Sequence, residues 1–233
     1  MKLTTDQIQK LYTFTRQHYV EHYDLQTELV DHLANAIEEQ WQENPKLTFE
    51  EALQKEFKKF GVFGFMDVVE KRQTALSKKY NKLVLKNLKT FFTIPKIIGT
   101  IFSIASVYVA LKFWQKDYPI FQTTFVLLAI VFFFGIIYNF QKSKKQTRLS
   151  GKKWMFEELI FRFYGMSAFI NLPIQLAIHL KGDNYANWLL LLISFFIVLL
   201  VLVAFIVLIL IPSNAEEYLK ETYPEYKLLT ETL

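Results

Sequence analysis

Five consecutive residues near the amino terminus, His18-Tyr19-Val20-Glu21-His22, spell H-x-x-E-H. On a helix that spacing sets two imidazoles on one face to hold zinc while the glutamate activates water. The string falls where a first helix is expected to end, and no third ligand is placed around it, so zinc hydrolysis is not the expected chemistry. Further along, Glu28, Asp31 and His32 put two carboxylates and an imidazole on adjacent turns, either as a helix-packing or surface cluster or as a position that touches a partner. A third group is Glu157, Glu158 and Arg162, followed by Asn171, Pro173, Gln175 and His179 in an otherwise apolar stretch. Ionisable groups at membrane depth are costly and usually face a cavity or a partner. Glu158 and Arg162 are four apart and can pair on one helical face. With Asn171 they form a candidate polar network that could anchor the helix, join a bundle, or line a substrate or proton path.

Other chemistry has little to stand on. The chain has no Cys, which removes thiolate nucleophiles, redox pairs and cysteine zinc sites. Its 7 glycines form no phosphate-binding loop and no nucleophile elbow. An enzyme is not expected, and no catalytic residue, metal or cofactor is assigned.

The elements that must position these groups are of two kinds. Of 233 residues 52% are hydrophobic and 17% aromatic, with 23 Phe, which is too apolar for one ordinary water-soluble domain. The apolar residues crowd into four runs after Thr90, while the first 70 residues are an ordinary soluble mixture. Charge divides the same way. Residues 1–70 carry seven Lys/Arg against thirteen Asp/Glu, a net of −6, whereas residues 71–153 carry sixteen Lys/Arg and the single acid Asp117, a net of +15. Basic residues flanking apolar runs are accounted for by membrane orientation and anionic headgroups, so direct nucleic-acid binding is not expected.

Within the soluble part, Thr4-Thr5-Asp6 can cap a first helix whose apolar stripe is Ile8, Leu11, Tyr12 and Phe14. A second helix fits 24–43, because Leu25, Leu29, Leu33, Ile37 and Trp41 recur every four residues. Its opposite face is acidic and carries the candidate partner-binding residues Glu28, Asp31, His32, Glu38 and Glu39. Asn44-Pro45 breaks the pattern, Thr48-Phe49-Glu50-Glu51 restarts it as a capping box, and Gly61 is placed to stop the third helix. The expected product is a small acidic helical bundle over 1–70. A basic segment over 71–93 follows, either lying on an anionic membrane surface or acting as a solvated helical linker.

Spans are expected at 94–114, 120–140, 159–180 and 188–211, each about the 20 residues that a hydrocarbon core requires. Trp114, Tyr118, Trp154 and Trp188 fall near their ends as interface anchors. The connection over 141–153 holds six basic residues and no acid, so the positive-inside rule puts it, the amino-terminal domain and the acidic tail over 212–233 in the cytosol. The tail, with five Glu and two Lys, could pair with that connection or form an exposed short helix. The polar start lacks the apolar core of a secretory signal, so targeting to the cytoplasmic membrane is expected from the internal spans.

The spacing Tyr23-Asp24, Glu28-Leu29, Asp31-His32-Leu33, then Thr48-Phe-Glu-Glu-Ala52 and Phe60-Gly61, resembles the HAAS-like helical domain of bacterial multi-pass membrane proteins. The resemblance covers residues 5–75, about a third of the chain. Here Asn44-Pro45 stands where that family has a glycine, and Phe60 to Phe65 is more aromatic than the family's usual ending. Members are small cytosolic bundles fused to several spans and linked with PadR-type transcriptional regulators. The resemblance therefore implies signalling or regulation through a cytosolic protein partner.

The reading that results is an all-α chain, a cytosolic helical bundle followed by a four-helix transmembrane domain, with a protein partner for its acidic face and anionic lipids for its basic segments. The alternative is a small transporter, or an accessory subunit of one, with the span at 159–180 supplying the polar path.

Overall fold

The computed structural model describes residues 2–116, 119–162, 166–180 and 185–231. Every regular element among them is helical: α1 Thr5–Gln17, α2 Tyr23–Glu43, α3 Phe49–Lys58, α4 Met66–Thr90, α5 Lys96–Trp114, α6 Ile120–Ser150, α7 Met155–Arg162, α8 Met166–His179 and α9 Asn187–Phe205. A π-helical turn, Ile206–Leu210, follows, and then α10 Ile211–Ser213, α11 Ala215–Thr222 and α12 Pro224–Glu231. The chain divides into two compact units, Met1–Lys78 with Thr147–Phe156, and Lys79–Gln146 with Glu157–Leu233.

In the first unit the local signals are used as expected. Thr4 Oγ1 accepts from the Gln7 amide at 3.3 Å and Gln7 Oε1 accepts from the Thr4 amide at 2.9 Å, closing a capping box on α1. Thr48 and Glu51 repeat the device on α3, at 3.3 and 3.0 Å. The Thr48 amide, at 3.0 Å, and the Thr48 hydroxyl, at 2.8 Å, both donate to Glu51 Oε2 and hold its carboxyl below its ordinary range. Leu25, Leu29, Leu33, Ile37 and Trp41 are all buried, and α2 packs against both α1 and α3 along that stripe.

Phe14, His18, Phe57, Phe60 and Phe65 form a cluster of edge-on and tilted rings between α1 and the chain after α3. Gly64 lets this cluster close. Its φ is +54°, and a Cβ there would lie 2.9 Å from Phe57 Cζ, whereas Gly61, at φ +77°, has nothing within 4 Å of that position. Gly61→Ala should therefore cost only the left-handed backbone penalty, about 1–2 kcal/mol. Gly64→Ala should cost measurably more in denaturant titrations, because Phe57 must also move.

In the second unit α5 packs along α9. Leu111 of α5, Phe121 and Phe125 of α6, Ala177 of α8, and Leu190 and Ile197 of α9 share one core. The other faces of these helices carry exposed side chains such as Phe102, Phe113, Leu127, Phe134 and Leu192. A contiguous apolar exterior of that kind belongs against lipid rather than water. Among the described residues three helices are long and apolar enough to cross a membrane: Lys96–Trp114, Ile120–Ser150 and Asn187–Ser213.

The expected span at 159–180 corresponds to the end of α7 and to α8, and residues 163–165 between them lie outside the described residues. The 14 residues of α8 rise about 21 Å, short of a full crossing by themselves. Asp117, Tyr118, Lys181 and Asp183 also lie outside the described residues. The basic connection after 140 is no loop for most of its length, because α6 continues unbroken to Ser150. The tail forms α11 and α12, with Glu216 and Lys220 paired at 2.7 Å and Leu219 and Tyr223 buried.

One anchor is reassigned by the fold. Trp154 is only 2% exposed, and its ring meets the Tyr23 ring edge-on at 5.2 Å. The indole is thus part of a protein core and not available to the membrane interface, whereas Trp114 and Trp188 remain exposed.

Candidate functional site

The outer face of α2 is built by its own periodicity. With Leu25 through Trp41 turned inward, Glu28, Asp31, His32 and Glu39 are exposed and Glu38 is half-buried. The group is lightly tied down. Arg72 Nη2 comes to 3.9 Å from Glu28, and Asn35 Nδ2 donates to Asp31 at 3.3 Å. Glu38 Oε1 accepts from the Leu3 amide at 2.9 Å, so this carboxylate also holds the start of the chain. Glu39 has no ion pair among the described residues.

His32 leads inward to a residue that sequence reasoning missed. Its Nε2 lies 3.8 Å from Glu56 Oε1, and its ring stands edge-on to Phe60 at 5.9 Å. Glu56 is buried on α3, where Lys59 Nζ reaches it at 2.6 Å and Gln40 Nε2 donates to it at 3.2 Å. A buried carboxylate needs such partners to remain charged. The available signal was position: Glu56 lies three residues after Leu53, on the inward side of α3.

A second feature invisible to periodicity lies where the chain after α6 meets the start of α2. Tyr23 donates its backbone N–H to the Lys153 carbonyl at 2.7 Å, and Lys153 Nζ pairs with Glu21 at 2.7 Å. Lys152 Nζ sits 4.1 Å from the Tyr23 ring centre. The buried Asp24 carboxylate accepts from the Met155 amide at 3.1 Å. Two lysines that read as membrane-flanking charge are therefore engaged by an acidic, aromatic corner of the first unit.

The H-x-x-E-H string occupies this same corner, and its geometry is not that of a zinc helix. His18 caps α1, and Tyr19, at φ +65°, turns the chain out of it. The Tyr19 and Val20 amides bond back to the Arg16 and Thr15 carbonyls, both at 3.1 Å, as a Schellman turn does. His22 is already the N-cap of α2, so the two imidazoles share no helical face. Among the described residues no three His, Asp or Glu side chains gather to hold a metal.

In the second unit Glu158 and Arg162 make the expected pair, at 2.7 Å, and the guanidinium lies over the Phe140 ring at 4.6 Å. Asn171 is exposed on α8, and no hydrogen bond among the described residues joins it to that pair. Beside the pair, burial pushes the Glu157 carboxyl up to about 7. Burial, then the charges of Glu157 and Glu216, raise the Tyr226 hydroxyl in turn.

No family model matches the chain, and no curated protein and no solved structure matches it. Function must therefore be argued from these sites.

Proposed function

We propose that this chain is an integral membrane signalling or regulatory protein of the cytoplasmic membrane. Four spans, over residues 94–114, 120–140, 159–180 and 188–211, anchor it. The domain over residues 1–70 stands on the cytosolic side with the carboxyl-terminal tail and binds a protein partner. The observation that carries this reading is the face of α2 opposite its buried stripe, where Glu28, Asp31 and Glu39 are exposed over three turns beside His32. Such a row selects a basic partner surface and speeds its approach. A PadR-type transcriptional regulator is the partner class that the resemblance to HAAS-like domains implies. Orientation rests on the six basic residues of 141–153. Four of the exposed lysines of α4, Lys71, Lys78, Lys82 and Lys89, fall on one face and suit anionic lipid.

The test is photo-cross-linking in native membranes from position 35, at the centre of the acidic face, with the adduct identified by mass spectrometry. A PadR-type regulator is the expected adduct. Combining Glu28→Gln, Asp31→Asn and Glu39→Gln should lower its yield about tenfold, since each exposed pair contributes up to about 1 kcal/mol. Helix content should be unchanged, because none of the three is buried. An undiminished yield rejects the acidic face as the binding surface, and an adduct with a transport complex rejects the regulatory reading in favour of the transport one.

A further inference from the structure

The middle of α6 and the π-helical turn after α9 approach closely. Gly135 allows the approach, since a Cβ there would stand 2.6 Å from Leu208 Cδ1. One turn later Asn139, 2% exposed, donates Nδ2 to the Leu208 carbonyl at 3.1 Å. A π-helical turn shifts the backbone register, and here a side chain from the neighbouring helix meets one of its carbonyls. These two contacts fix the floor of a groove of about 440 Å³ between α6 and the run from Leu208 to Ser213.

The groove has two chemically distinct ends. Along its apolar part lie Val131, Phe134 and Ile209, all exposed on the outer surface of their helices. At its other end, eight residues and about 12 Å further along α6 from Phe134, lie Lys142 and Ser213, whose hydroxyl donates back to the Ile209 carbonyl at 2.7 Å. Lys142 Nζ is held over the Phe161 ring at 5.4 Å, which limits its wandering. Among the described residues no Asp or Glu lines the groove. An apolar groove that ends in a cation with no ion-pair partner among the described residues fits an amphiphile with a long hydrocarbon tail and an anionic head.

We propose that this groove binds one anionic glycerophospholipid, with its acyl chain against Phe134 and Ile209 and its phosphate at Lys142. Charge complementarity selects the head, and the lipid-facing walls select the tail. The site rests on the reading that α6 and α9 span the bilayer, and it goes beyond that reading by naming a specific lipid position. It also differs in kind from the lysine row of α4, which offers diffuse attraction and no channel.

The full chain is reconstituted into vesicles of equal phosphatidylglycerol and phosphatidylcholine with matched acyl chains, extracted gently, and weighed by native mass spectrometry. The wild-type chain should retain one phosphatidylglycerol in preference to phosphatidylcholine by about fivefold, the factor one lysine contributes at a charged surface. Lys142→Gln should bring the ratio close to one. Lys144→Gln, exposed and outside the groove, should leave it unchanged. Equal retention of both lipids by the wild-type chain overturns the site, as does an equal loss of preference in the two variants, which would mean diffuse charge. Carbonate washing of the same vesicles reads the underlying topology separately. A chain that washes off has no spanning helices, and the groove falls with them, whereas a chain that stays without lipid preference refutes the groove alone.

Discussion

Trp154→Ala should destabilise the first unit by about 3–5 kcal/mol, the range for emptying a large aromatic site. The indole is buried against Tyr23, and its neighbours in sequence make the bonds that hold the segment in place: Lys153 to Glu21 and Tyr23, and Met155 to Asp24. A domain of this size has a total stability of about 5–15 kcal/mol, so a loss of that order should be visible twice. The urea midpoint in detergent should fall, and trypsin should cut at Lys152 and Lys153 under conditions that leave the wild-type chain whole. Trp188→Ala, at a residue 66% exposed, is the matched control and should shift the midpoint little. If the two variants behave alike, Trp154 is an ordinary surface tryptophan and the corner it fills does not hold the segment.

Glu157→Gln should stabilise the protein, and the gain should depend on pH. The carboxyl is raised from its ordinary 4.5 to about 7 because it is buried, so the folded chain binds that proton more tightly than the unfolded chain does. Stability contributed by the neutral form is complete below about 4.5 and is lost as the pH rises through about 7. The shift corresponds to about 3 kcal/mol between the two limits. Glutamine keeps the shape and never ionises, so the variant should match wild type near pH 4.5 and exceed it by up to that amount at pH 8. Thermal midpoints measured across this interval decide the matter: parallel curves for the two proteins would show that Glu157 is solvated in the folded state. The same titration should register at Tyr226, whose hydroxyl feels the Glu157 charge.

Reading the α2 face as a docking surface and the α6 groove as a lipid position gives the two units separate tasks. The acidic face has lightly tied carboxylates and suits a partner that comes and goes. The groove is framed by the Gly135 approach and the Asn139 bond and suits a ligand that stays. Neither reading draws on the Glu158 and Arg162 pair, whose short bond and stacking over Phe140 give it a structural part to play.

Local rules were enough for much of this architecture. The four-residue recurrence of Leu25, Leu29, Leu33, Ile37 and Trp41 marked the buried side of α2, and therefore also the side left for Glu28, Asp31 and Glu39. The cap at Thr4-Thr5-Asp6 and the box at Thr48 marked two helix starts, because a cap is satisfied by atoms three residues away. The apolar runs at 94–114, 120–140 and 188–211 marked helices that can cross a membrane, since length and composition alone set that property. What escaped was everything decided by partners distant along the chain. Trp154 has the look of an interface anchor until Tyr23 is seen against it, and Glu56 has the look of a solvated charge until Lys59, Gln40 and His32 converge on it. The H-x-x-E-H string keeps its zinc spacing on paper and loses it where Tyr19 turns left-handed, and the Leu208 carbonyl meets Asn139 only when two helices 69 residues apart come together. Periodicity and capping are properties of neighbours, so a linear chain displays them. Burial, charge pairing and groove shape depend on which surfaces meet, and only the packed molecule settles that.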